Sequence, residues 1–378
     1  MKKLILSLVA LLIVATGFYF ISTETNEGTP EKSPVDLTTY RQVMPISEDQ
    51  KSLSSSSLTF AAVGDILIHD RVYERAVEGD GYNFKPMLAG VQKQLQDADI
   101  TFANQETVIG GASIGLSTYP AFNSPTAVGD ALKASGVDIV SMANNHTLDR
   151  GEKAIQNAIK HWNKIGMLYT GSYSSKEDRN QIRTIEHNGI KVGFLAYTYG
   201  TNGLRPPAGK PFLVNYIDKQ VINKEIQAAK KLADVVVVSV HFGTEYERYP
   251  NKEQLALTSY IAESGADLIL GHHPHVLQPL EWIETKDKRK VLVAYSLGNF
   301  LSGQRKDYKD IGGILKMNIA KEQFRGTSTI TVTSPSFTPT FVDKNYHVNP
   351  LSEVKPELLK EINHHMNQWI PELKVPHT

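Results

Sequence analysis

The sequence predicts an α/β protein, a two-sheet sandwich covered by helices, in which one component is mainly parallel and another antiparallel. Three observations carry this. Short apolar, β-branched runs at residues 58–63, 99–103, 137–142, 234–240 and 266–270 alternate with segments of helical length at 92–97, 127–135, 152–165, 224–232 and 252–263, the pattern of crossover connections over a buried parallel sheet. Asn188-Gly189 stands between 184–186 and 191–196, the strongest short hairpin signal in the chain. A second hairpin is expected where 282–284 and 291–295 flank the charged stretch 285–290.

In chain order, Met1-Lys2-Lys3 precedes residues 4–21, which carry no charge and only Ser7, Thr16 and Gly17 as weakly polar interruptions. At about 1.5 Å per residue they cover roughly 27 Å, close to the ~30 Å hydrocarbon core. Residues 1–22 are therefore expected to be a transmembrane anchor with its lysines in the cytoplasm. A cleaved signal sequence is the competing reading, and Gly17-Phe18-Tyr19-Phe20, standing where small cleavage-site residues would fall, weighs against it. Residues 23–57, rich in Thr, Ser, Glu and Pro, read as a polar linker unable to bury enough surface to offset chain entropy. The folded domain is expected at 58–345, followed by a C-terminal extension at 346–378.

The chain has 378 residues, 41% of them apolar, and no cysteine, which excludes a lipoprotein anchor, disulfides and thiolate metal ligands. With 40 basic and 40 acidic side chains and no basic run, nothing draws it to nucleic acid.

Each expected parallel strand ends in a polar cluster: Gly64-Asp65, Asn104-Gln105-Glu106, Asn144-Asn145-His146 continuing to Asp149, His241, and Gly271-His272-His273-Pro274-His275. Open α/β sheets bind ligands at such carboxyl ends, and Mn, Fe or Zn accept carboxylate and imidazole together. Every cluster has a plainer reading when taken alone. Asp65 suits a helix N-cap, the Asn pair a turn, His241 a satisfied buried histidine, and Glu106 ordinary surface. Three histidines within residues 272–275 resist it. Pro274 is expected to hold that segment extended, so that His273 and His275 lie on one side; His272 is a further possibility. A weak internal echo supports the same design, because 134–140 leading to Asn144 and 263–269 leading to Gly271 each read as helix end, Gly turn, strand and polar cluster.

Together these segments, with 63–66, 241–246 and 295–300, resemble the CapA family, also called PgsA, of the poly-γ-glutamate capsule machinery, whose domain is similar to the calcineurin-like metallophosphoesterase fold. The resemblance runs from about residue 58 to 300. It implies an anchored extracytoplasmic protein that works with membrane-bound synthase subunits in making or exporting the anionic polymer. Carried over by residue, it implies one or two divalent metal ions held by Asp65, Asn145, His241, His273 and His275, with Glu106 at best in the bridging place and His146 as the acid that protonates a leaving group. Asp149 would orient His146 if that segment turns into helix. The pattern departs at Leu67, which stands where metallophosphoesterases carry the His of a D-x-H. Two functions follow as expectations: a metal-dependent hydrolase, or a non-catalytic subunit that binds the polymer or the synthase and keeps a vestigial site.

Overall fold

The computed structural model describes residues 53–374. The expected anchor, and the expected linker up to residue 52, lie outside the described residues; among the described residues no helix is long and apolar enough to cross a membrane.

Two sheets pack face to face. In the first, the strands run in the order Val348–Pro350, Thr327–Val342, Ile311–Phe324, Leu53–Leu67, Ile100–Gln105, Ile139–Ser141 and Leu168–Thr170, with Asn299–Ser302 paired to the end of Leu53–Leu67. In the second the order is Leu277–Glu284, Lys290–Leu297, Leu268–His272, Val235–His241, Ile190–Thr198 and Arg183–His187. Alternation along a strand decides which layer each side chain joins. Leu58, Phe60 and Ala62 enter the core between the sheets, whereas Ala61 and Val63 face the helices Ala127–Ala134 and Gly151–Ile165. The helices Lys219–Ala229 and Lys252–Glu263 cover the outer face of the second sheet. At the centre Phe194 lies between Phe60 and Phe102 at ring separations of 6.3 Å; truncating such a ring to alanine costs about 3–5 kcal/mol.

Both expected hairpins form, the first with Asn188 and Gly189 at φ 50° and 73°, as a primed two-residue turn requires. At the amino ends of four strands an aspartate ties its strand to the neighbour. Asp99, Asp138, Asp234 and Asp267 accept from the backbone N–H of Thr59, Thr101, Lys191 and Val236 at 2.7–2.9 Å. Their own N–H groups donate back to the carbonyls of the same four residues.

Three features differ from expectation. The first strand starts at Leu53, inside the expected linker, because residues 53–63 pair antiparallel with 314–324; the serines there lie largely exposed on the edge of a three-stranded ribbon, where polar residues cost nothing. The long hairpin of Ile311–Phe324 and Thr327–Val342 has no counterpart in the sequence reading, since its Ser- and Thr-rich second strand lacks a clean apolar alternation. Residues 346–374 are not an appendage: Val348–Pro350 completes the sheet, and Leu351, Ile362, Met366 and Ile370 are buried in the core between the sheets.

Candidate metal centre

The centre is assembled where Leu53–Leu67 changes partners. Antiparallel pairing with Ile311–Phe324 stops at Val63, and parallel pairing with Asn299–Ser302 starts at Asp65. The crossing is so close that a Cβ on Gly64 would lie 1.9 Å from the Gly298 carbonyl oxygen, which explains a glycine there. Asp65 N–H donates to that same carbonyl at 2.9 Å, anchoring the carboxylate.

Asp65 is buried among donors. Asn104 Nδ2 donates to its Oδ1 at 2.8 Å, and His275 Nδ1 lies 3.2 Å from its Oδ2. Burial alone would raise the Asp65 carboxyl, but the hydrogen bonds and charges of His272 and His275 prevail and hold it well below the usual carboxylate range. Glu106, one residue past Ile100–Gln105, is also fully buried, yet neither oxygen has a hydrogen-bond partner. His275 Nε2 and His241 Nε2 lie 3.6 and 3.7 Å from its Oε1. Burial pushes the Glu106 carboxyl well above its ordinary value. The imidazoles divide in the same way. Burial holds His241 well below its ordinary value, and burial with the charge of His275 lowers His273 to about 3. Burial opposes protonation of His275 too, but the carboxylates of Glu106 and Asp65 outweigh it and hold its pKa at about 9.

Asp65, Glu106 and His241 present ligand atoms within 4.8 Å of one another, and so do Glu106, His273 and His275. Glu106 is common to both groups of candidate ligands. Asn145 Oδ1 lies 2.9 Å from His241 Nε2, beside the first group. A buried carboxyl group with two unpartnered oxygens, facing the imidazoles of His241, His273 and His275, fits a divalent cation of the Mn, Fe or Zn type. The Asn144 side chain holds the neighbouring loop in place: its Oδ1 accepts from His146 N–H at 3.0 Å and its Nδ2 donates to the Gln105 carbonyl at 3.0 Å. His146 Nδ1 lies 2.7 Å from Asp149 Oδ2, which also accepts from Phe122 N–H at 2.7 Å, and the Phe122 ring stands edge-on to the imidazole at 4.7 Å.

The structure therefore brings together Asp65, Glu106, Asn145, His241, His273 and His275, with the His146/Asp149 pair beside them. Two expectations change. The His-Pro-His segment is not extended, since His273 and His275 have φ of 100° and 59°; the segment bends sharply, in a backbone region that non-glycine residues occupy at a cost and mainly at functional sites. His272 belongs to neither ligand group. It is in register with His241 and two residues after Leu270, on the face between the sheets, where its ring stacks on Phe102 at 6.1 Å. Leu67 is buried and paired with Ser302, so no imidazole enters from that position. Sequence reasoning assigned no role to Asn104 and Asn299. Asn299 Oδ1 lies 3.1 Å from His275 Nδ1; the motif at 295–300 held that residue, but its contact spans 24 positions.

Fold and site define an α/β sandwich protein with a histidine- and carboxylate-rich candidate metal centre at converging strand ends. The chain belongs to the family described as bacterial capsule synthesis protein PGA_cap, which matches residues 59–304. It is 29% identical over 280 residues to the capsule biosynthesis protein CapA of Bacillus anthracis, covering 67% of this chain and 62% of that protein. It is 33% identical over 175 residues to the PGA biosynthesis protein CapA of Bacillus subtilis, covering 46% of this chain and 44% of that protein. The match thus spans less than two thirds of either relative. Among solved structures, the chain is similar to the NAD nucleotidase of Haemophilus influenzae, with a TM-score of 0.47, 11% identity and coverage of 85% and 64%. It is likewise similar to the 5'-nucleotidase precursor from Thermus thermophilus, with a TM-score of 0.47, 13% identity and coverage of 81% and 58%.

Proposed function

We propose that this protein is a metal-dependent hydrolase acting in the synthesis or export of a poly-γ-glutamate capsule, held outside the cytoplasmic membrane by residues 1–22 beside membrane-bound synthase subunits. Membership of the capsule synthesis family supports the pathway, and residues 4–21 support the anchor. The observation that carries the catalytic reading is Glu106, whose two unpartnered, buried oxygens lie between two groups of potential ligands.

Asp65, Glu106, Asn145, His241, His273 and His275 would hold a divalent cation, which would supply Lewis acidity for hydrolysis. The chain's own groups do the rest. Asp65 is kept ionised by the groups around it, His275 Nδ1 at 3.2 Å among them. Asn104 donates to Asp65 and fixes its orientation. Asp149 accepts from His146 Nδ1 and leaves Nε2 to carry a proton to a leaving group, a role worth about 10²–10⁴-fold.

Metal analysis of the full chain, purified in detergent without chelator, tests this reading: stoichiometric transition metal with hydrolysis that chelator abolishes supports it. The second reading, a polymer- or synthase-binding subunit with a vestigial site, is favoured by Leu67 in place of a histidine ligand. Absence of bound metal would select it. For the anchor, the intact protein should sediment with membranes and be released by external protease within residues 23–52; a soluble form starting near residue 20–25 would refute it.

A further inference from the structure

The centre is flanked twice, and both flanks are built alike. Beside His273, the Tyr199 ring lies 4.8 Å from the imidazole and is 49% exposed. Asn202 Oδ1 accepts from Asn145 Nδ2 at 3.5 Å. A cleft of about 810 Å³ begins at Tyr199, and Arg205 lines it with no ion-pair partner among the described residues. Beside His275, the Tyr246 ring lies 6.2 Å from the imidazole and is 46% exposed. Gln304 accepts from Asn299 Nδ2 at 3.0 Å and donates to Tyr246 Oη at 3.3 Å. Lys309 Nζ stands 4.9 Å from the centre of the Tyr246 ring; its carboxylate contact, Asp307 at 3.2 Å, is 83% exposed and such a pair is worth little in water.

Each flank therefore offers a half-exposed phenol against a candidate ligand imidazole, an amide hydrogen-bonded back to the centre, and one cation. A small monoester needs one such set. Two sets suit a ligand that continues past the centre in both directions. Side-chain amides both donate and accept, matching the N–H and C=O of an amide unit, whereas a phosphodiester only accepts; the cations match carboxylates carried on that backbone.

We propose that an internal stretch of a carboxylate-bearing polyamide lies across the centre, gripped by Tyr199, Asn202 and Arg205 on one flank and by Tyr246, Gln304 and Lys309 on the other, so that the chain is engaged away from its ends. This rests on the reading above for the identity of the polymer and adds how the polymer is held. The test is equilibrium binding of end-labelled γ-linked glutamate oligomers, dimer to dodecamer, to the full chain with chelator present so that nothing turns over. The dissociation constant should fall at least tenfold with length and then level off. Arg205→Ala and Lys309→Ala should each weaken the dodecamer by about tenfold, the loss of one charge-assisted contact, with an unchanged melting temperature, and the double variant should bind it no better than the dimer. Equal affinity for dimer and dodecamer overturns the proposal. So does polyphosphate of matched charge binding as tightly as the dodecamer. Missing metal would refute the hydrolase and leave this ladder intact; a flat ladder would refute the two-flank grip and leave hydrolysis open.

Discussion

At the amino ends of four strands, Asp99, Asp138, Asp234 and Asp267 each accept a backbone N–H from the adjacent strand and return one of their own. At the carboxyl ends, Asp65 is crowded by histidines and Glu106 has no hydrogen bond at all, while His273 Nδ1 is unpartnered. Both rims carry carboxylates; their satisfaction differs. A buried donor or acceptor left unpaired costs about 1–3 kcal/mol, so the amino-end rim holds the sheets in register and the carboxyl-end rim opposes folding. Unsatisfied carboxyl and imidazole groups gathered at one set of strand ends suit a ligand.

The contrast breaks most sharply if the His-Pro-His bend is emptied. His273→Ala with His275→Ala should remove most bound metal, and hydrolysis with it. His187→Ala, in the Arg183–His187 hairpin strand, should change neither. Equal metal content in the double variant and the parent, read by elemental analysis, would dissolve the distinction between the rims. Next in size is His146→Ala: hydrolysis should fall at least tenfold, with metal content and melting temperature nearly unchanged. Loss of metal in this variant would make His146 a ligand instead.

The opposite rim gives a smaller effect of the opposite kind. Asp138→Ala orphans the buried Thr101 N–H and should lower unfolding free energy by about 1–3 kcal/mol in denaturant titrations, with metal binding intact. Asp138→Asn keeps an acceptor and should recover most of the loss; if it does not, charge and not the hydrogen bond holds that strand. Smallest is Glu106→Gln. It keeps the volume and removes a buried ionisable group, so the metal-free protein should gain about 1 kcal/mol even as metal affinity drops. A less stable metal-free variant would show that Glu106 helps hold the fold.

Much of this was legible in the residues, for reasons that differ by segment. Valine-rich runs followed by polar clusters mark strands and their carboxyl ends, so Asp65, Asn145, His241 and the histidines at 273 and 275 were placed on one rim without coordinates. Glu106 was ambiguous, because a glutamate after a strand is usually solvated; only its complete burial between two imidazoles sets it apart. His272 was open for a related reason. Strand register turned it onto Phe102, and register depends on pairing with residues far away in sequence.

By itself the sequence determined the βα alternation, both short hairpins, the helix ends at Gly136 and Gly265 and the set of chemically capable side chains, since each depends on local period, turn chemistry or residue type. Tertiary structure alone decided that residues 53–57 extend a strand, that 311–342 closes the first sheet, that the C-terminal helix Pro356–Asn367 seals the core, and that Glu106 is shared between two ligand groups. Those outcomes rest on contacts between residues tens to hundreds of positions apart. No local pattern encodes such contacts, because the free energy that selects them comes from burial of the assembled whole.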